Sequence, residues 1–203
     1  MQEQPATPDD SVTDRNPFAT SRTRPGAVPF VFSGGVGAEQ LVERLQGNGW
    51  WGQIIGPHGS GKSALLATLR PAIERAGRHV SVIELHDGQR RLPADASPAL
   101  DVETPGVLII DGYEQLGWLG RWSIGRQCRR RGIGLLVTAH TSVGLPELFE
   151  TKVTTCLARK VVEQILGGVA SRVTDEEIAE RLARHDGDLR ETLFDLYDLH
   201  ERR

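Results

Sequence analysis

Lysine is scarce in this 203-residue chain: Lys62, Lys152 and Lys160 are the only three among 24 basic residues. Cysteine is scarcer still. Cys128 and Cys156 stand far apart, which excludes a disulfide framework and any Cys-rich metal cluster, and suits a reducing cytoplasm. No apolar run is long enough to span a bilayer, and the start lacks the pattern of a secretory signal, so the expected location is cytoplasmic with no membrane contact. A strong excess of one charge is missing too. The formal net charge is −3 and the pI about 6.1, so the chain as a whole is not marked as a nucleic-acid binder. What remains, at 38% hydrophobic and 25% charged residues, is enough for one globular domain with room for a small appendage.

Against that arginine-rich background, the first lysine falls in an informative place. Gln53-Ile-Ile-Gly-Pro-His-Gly-Ser-Gly-Lys-Ser63 reads as Gly56-x-x-x-x-Gly61-Lys62-Ser63, the phosphate-binding loop pattern, without a mismatch. The chemistry needs these residue types at this spacing. A strand (Trp51–Ile55) ends at Gly56, and the loop through Pro57, His58, Gly59 and Ser60 turns successive backbone N–H groups toward one point. Gly59 and Gly61 let the backbone pass close to phosphate oxygens with no Cβ in the way. A helix starting near Gly61 and running through Ala64 aims its unsatisfied amides at the same anion. Lys62 adds a point charge, and the Ser63 hydroxyl can ligate Mg²⁺. The alternative is an ordinary Gly-rich turn, but Leu65, Leu69 and Ile73 supply the helical periodicity that the loop calls for.

The rest of the chain supplies sheet and cover. Residues 1–14 are polar and read as a disordered tail. Asn16-Pro17-Phe18 and Phe30-Val-Phe32 read as an extended arm, and residues 37–45 as a short amphipathic helix. Trp50 and Trp51 read as core or rim packing. Strands are expected at His79–Leu85, Val107–Ile110, Ile133–Thr138 and Val153–Leu157, with a loop over 87–104 and a helix over 114–131. Val107-Leu-Ile-Ile110 is uniformly apolar, as a strand buried on both faces of a parallel sheet is written. Alternating strands and crossovers argue for a parallel sheet covered on both sides. From residue 159 the pattern becomes three helices, one opened by Thr174 with Glu177 in a capping box and one by Asp188 with Glu191. The expected division is a tail (1–14), a core with its arm (15–158) and a helical lid-like unit (159–203).

Several further positions carry chemistry. Asp111 ends the buried strand, where open α/β sheets bind ligands, and is placed to hold Mg²⁺ directly or through another ligand; otherwise it caps a turn. Its neighbour is Gly112, so no adjacent carboxylate can orient a water. Glu114 is the nearest candidate for that role, or else only favours a helix N-terminus. Thr138 and His140 end the next strand, where either could read a terminal phosphate or be a plain loop residue. Arg121, Arg126, Arg129, Arg130 and Arg131 lie beside Trp118 and Trp122. The preferred reading is a solvated helix face with the tryptophans packed on the sheet; a patch for nucleic acid or an acidic partner is the second.

With these residues in place the chain resembles P-loop ATPases of the AAA+/STAND-like (ASCE) group over about residues 16 to 200. Gly56–Ser63 corresponds to Walker A, Val107–Leu116 looks like Walker B, and Leu135–His140 is similar to the sensor-1 strand. Leu145-Pro-Glu-Leu-Phe149 resembles the Leu-Pro segment before the last core strand. Gly187-Asp-Leu-Arg190 resembles a sensor-2 motif, in which Arg190 would reach the γ-phosphate from the lid. The arm resembles a segment that packs near adenine. The resemblance implies a three-layer α/β sandwich with a five-stranded parallel sheet of order 5-1-4-3-2 and a C-terminal helical lid. It also implies ATP and Mg²⁺ as ligands, with Lys62, Glu114, His140 and Arg190 in catalysis. Departures are Gly112, and Lys152 where an arginine finger is expected just before the last strand; a lysine lacks the planar fork. The short, Pro-broken 87–104 region also speaks against a ring-forming unfoldase. The leading expectation is slow or partner-stimulated ATP hydrolysis coupled to lid movement. The alternatives are a non-hydrolysing nucleotide switch or adaptor and, third, a small-molecule kinase. A protein partner or self-association is compatible with all three.

Overall fold

The computed structural model describes residue 18 and residues 29–32, 35–86, 88–90, 92, 105–166 and 173–201. The expectations for the 1–14 tail, for Asn16-Pro17 and for most of the 87–104 loop lie outside these residues. Within them the elements run α1 (Ala38–Gly47), β1 (Trp51–Ile55), α2 (Lys62–Arg75), β2 (His79–Glu84), β3 (Gly106–Asp111), a 3₁₀ turn (Tyr113–Gln115) and α3 (Trp118–Arg131). Then follow β4 (Gly134–Ala139), β5 (Glu147–Glu150), α4 (Thr155–Leu166), α5 (Asp175–Arg184) and α6 (Leu189–Glu201).

The five strands form one sheet in the order β2-β3-β4-β1-β5, with parallel pairing throughout. This is the implied 5-1-4-3-2 order. Burial explains it: β3 and β4 are apolar almost end to end and sit in the middle, whereas β2 and β5 are partly exposed and take the edges. Side chains on one face (Ile54, Val107, Ile109, Leu136, Leu148) meet Leu41 and Leu45 of α1 and Leu65, Leu69 and Ile73 of α2. Those on the other (Leu108, Ile110, Leu135, Val137) meet Ile124 and Cys128 of α3. The result is three layers, α/β/α. A third cluster joins Phe18 to Ala158, Val162, Ile178, Leu182, Leu193 and Leu196, so α4–α6 have a core of their own.

Two element expectations are corrected. The last strand is Glu147–Glu150, not Val153–Leu157. The β-branched Val153-Thr-Thr reads as strand, but Thr154 is a cap: its Oγ1 accepts from Leu157 N at 3.2 Å and its carbonyl from Ala158 N at 2.9 Å. Leu157, Ala158, Val162 and Ile165 then form a buried helical stripe. The expected 114–131 helix is interrupted: Glu114 lies on the 3₁₀ turn, and α3 begins only after Gly117, whose extended backbone is its N-cap. The Thr174–Glu177 capping box is present as expected, and Trp50 is buried in the core.

Candidate functional site

β1 delivers the chain to Gly56, where a Cβ would collide with the Thr151 hydroxyl, so only glycine fits. Thr151 and Ser60, both buried, brace the loop from behind: Ser60 Oγ lies 2.6 Å from Thr151 Oγ1 and donates to Pro57 O at 2.7 Å. Gly61 is left-handed at φ +91° and opens α2, so the first amides of that helix face the loop. Lys62 Nζ folds back onto the loop, donating to Gly56 O at 2.8 Å and Pro57 O at 2.6 Å. Burial lowers its pKa from 10.5, opposed by the negative charges of Glu114, Asp111 and Asp188. Ala64 continues the first turn, its carbonyl accepting from Thr68 Oγ1 at 2.9 Å.

The expected metal-binding pair is brought together. Ser63 Oγ donates to Asp111 Oδ2 at 2.6 Å, and Asp111 Oδ1 accepts from Thr138 Oγ1. Thr138 in turn accepts from Gly112 N at 2.8 Å and is fully buried. Its hydroxyl holds the Asp111 carboxylate in place. Gly112 is left-handed at φ +80°, and a Cβ there would meet Leu85 O at 2.7 Å. No side chain fits beside Asp111.

Glu114 occupies the crevice instead. Its Oε1 lies 3.4 Å from His140 Nε2, while Oε2 is buried with no hydrogen-bond partner. A buried orphan carboxylate oxygen is costly unless something outside the chain satisfies it. His140 is half-exposed, and its ring centroid stands 6.1 Å from that of His58.

The C-terminal helices reach the loop through a residue whose sequence context marks only a cap. Asp188 accepts from Glu191 N at 3.1 Å, as an N-cap should, but its Oδ2 also sits 2.9 Å from His58 Nδ1. A Cβ on Gly59 would collide with the same carboxylate. Partial burial alone would raise the Asp188 pKa; the His58 hydrogen bond and the Glu191 and Arg190 amides outweigh it and hold the carboxyl below its usual range. Arg190, two residues on, is exposed and lies 5.8 Å over the Phe194 ring; its described side-chain contact is there and not with the loop. The sequence signal at Asp188 is that of a cap, a short acid just after Gly187; nothing local points to its contact with His58.

Other expectations shift with the strands. Lys152 follows β5, is exposed, and pairs with Glu150 at 3.0 Å, so it does not precede the last strand. The β4–β5 connection, 140–146, contains no helix and no arginine or lysine. In the arm, Phe30 packs at Gly61, 3.3 Å from where a Cβ would stand, and against Phe32 and Phe149. Phe18 belongs to the helical cluster. On α3 the tryptophans do not pack on the sheet: Trp118 is 76% and Trp122 61% exposed. The reason is register, since Ile124 and Cys128 take the inward stripe.

What the crevice can hold follows from its donors. Ser63 and Asp111 are hard oxygen ligands, too few to enclose a cation, and among the described residues no cluster of three or more His, Cys, Asp or Glu could hold a metal. The Ser–Asp pairing suits Mg²⁺, which keeps waters and takes phosphate oxygens as further ligands. The residues present fit it.

No family model and no curated protein matches the sequence. Solved structures do match. A mutant form of RuvB from Thermotoga maritima aligns at TM-score 0.53 and 16% identity over 78% of this chain and 60% of its own. Cdc6p of Pyrobaculum aerophilum aligns at 0.59 and 16% over 78% and 59%. AMPPCP-bound DnaA of Aquifex aeolicus aligns at 0.52 and 16% over 79% and 61%. The chain spans about three-fifths of the length of these proteins. It has the fold of AAA+ P-loop ATPases.

Proposed function

We propose that the chain binds Mg·ATP in the Gly56–Ser63 loop and hydrolyses it slowly or on stimulation by a partner, with α4–α6 moving in step. The observation that carries this reading is the 2.6 Å Ser63–Asp111 contact, beside a lysine folded into the same loop. An amide-lined loop with one lysine and a Ser–Asp pair is what a triphosphate and its cation need. The analogue in the DnaA structure, AMPPCP, supports ATP as the nucleotide.

Lys62 would leave the Gly56 and Pro57 carbonyls for the phosphates, gaining a fully charged partner. Ser63 and Asp111 would hold Mg²⁺, which draws negative charge off the transferring phosphoryl group. Glu114, through its orphan Oε2, would orient the attacking water, and His140, 3.4 Å from the other oxygen of that carboxylate, would sense the terminal phosphate. Phosphates arriving at Gly59 bring negative charge against Asp188, which strains its link to His58 and gives the lid a reason to move. Arg190 would follow Asp188 on that lid.

Calorimetry with Mg·ATP tests the cradle. Lys62→Ala is expected to weaken binding on the order of a hundredfold, from loss of a charge-assisted contact worth about 1.5–3 kcal/mol. Unchanged affinity would refute it. Glu114→Gln should bind ATP normally and lose turnover. The second reading, a non-hydrolysing switch, draws on Gly112 and on a β4–β5 connection with no basic finger. Single-turnover hydrolysis no faster than in buffer would favour it.

A further inference from the structure

α3 carries no carboxylate: Trp118-Leu-Gly-Arg-Trp-Ser-Ile-Gly-Arg-Gln-Cys-Arg-Arg-Arg131 has five arginines and no counter-charge. Among the described residues none of Arg126, Arg129 and Arg130 makes an ion pair. Instead Arg126 lies 5.4 Å over Trp122 and Arg129 4.6 Å over Trp51. At the other end of the helix, Trp118, Leu119 and Trp122 are 76%, 60% and 61% exposed, the only large hydrophobics so placed among the described residues. Between α3 and the loop bearing Val143 and Leu145 runs a cavity of about 530 Å³, walled also by Leu135 and Trp51. Isolated exposed apolar residues need no explanation. Three together, beside guanidinium groups without acidic partners, mark an interaction surface.

We propose that this face of α3 docks an acidic, amphipathic segment of a protein partner. Charge complementarity selects acid: three guanidinium groups within two turns have no carboxylate among the described residues to neutralise them. The apolar half selects protein. Leu119, Trp122, Val143 and Leu145, all exposed or half-buried, gain by burying against aliphatic or aromatic side chains, and Leu119, Val143 and Leu145 gain little from a sugar-phosphate strand. The chain's net charge of −3 also opposes a long polyanion beyond the patch, but not a short segment seated within it. The helix is roughly 21 Å long, which a helical segment of about fourteen residues matches.

The test selects twelve-residue peptides from a random display library on the full chain, with the Arg126→Glu/Arg129→Glu/Arg130→Glu variant as counter-target. Selected peptides are then measured by fluorescence polarisation without nucleotide. The targets are the wild type, that variant and Trp118→Ala/Trp122→Ala, with labelled (dT)₁₂ as the nucleic-acid arm. The sequences expected combine Asp or Glu with Leu, Phe or Trp. Their affinity should fall about tenfold or more in each variant and weaken with salt. Failure to enrich, enrichment without acidic bias, or binding to either variant as tight as to the wild type overturns the proposal. So does saturable (dT)₁₂ binding that the arginine reversals abolish, which would make the face a nucleic-acid surface. Unchanged thermal unfolding of the variants guards against a folding defect.

Discussion

Two regions of this molecule that present cationic side chains treat them in opposite ways. At the Gly56–Ser63 loop the polar side chains already have partners inside the chain: Lys62 on two carbonyls, Ser63 on Asp111, His58 on Asp188. On α3 the Arg126 and Arg129 guanidinium groups lie on aromatic rings. A ligand at the loop must exchange existing hydrogen bonds for better ones, which favours selectivity for a group that satisfies all of them together. A ligand on α3 displaces mainly water, which favours a weaker, salt-sensitive contact. Carrying a cation does not make two sites alike; what matters is whether the charge is already in use.

The contrast can be broken at its paired end first. Thr138→Val removes the hydroxyl shared by Asp111 and Gly112, leaving a carboxylate oxygen and an amide unsatisfied. Urea unfolding should show a loss of about 2–3 kcal/mol; a loss under about 0.5 kcal/mol would mean Asp111 is held by something else.

Next in size is a pH effect at Lys62. Its pKa is lowered by burial, so the ammonium that a phosphate needs disappears as pH rises toward 10.5, earlier than for a free lysine. Wild-type nucleotide affinity should therefore fall about tenfold on the alkaline side, as a charge-assisted bond is lost. Lys62→Arg, which stays charged, should show a flat profile whatever its absolute affinity.

Asp188→Ala comes third. Losing an N-cap costs about 1 kcal/mol, and amides of α6 should exchange faster. Because the folded carboxyl titrates below its usual 3.8, its contribution is present above that pH and fades as acid protonates the native state. The variant should thus have a shallower acid limb. The smallest effect belongs to the unpaired end: Arg126→Glu, Arg129→Glu and Arg130→Glu together should shift stability by only about 0.5 kcal/mol. A large loss would show that these arginines serve the fold.

Much of the sheet is legible in the sequence because its signals are local. The apolar run places β1 to the residue and β3 within one, and the loop's glycines, lysine and serine announce themselves by spacing. β5 is not legible in the same way. The Val153-Thr-Thr propensity competes with a Thr154 cap, and only burial of Leu148 against α1 and β1 decides between them. The three-dimensional partners leave no local trace at all. Asp188 meets His58 across 130 residues and Thr151 meets Ser60 across 91, separations at which no periodicity speaks. Nor does composition reveal that α3 turns its tryptophans outward, since that depends on which stripe the sheet accepts.

Gly112 restricts where this chain can go as well as what it does. Converting glycine to glutamate is a small change in sequence, yet here the new Cβ would collide with the Leu85 carbonyl in a backbone conformation that disfavours it. Leu85 is pinned in turn by its own amide, bonded to Asp111 O at 2.9 Å. An engineer or a lineage adding a carboxylate next to Asp111 finds that route closed unless the end of β2 is rebuilt as well. A carboxylate on that side of Asp111 has to come from the Glu114 turn.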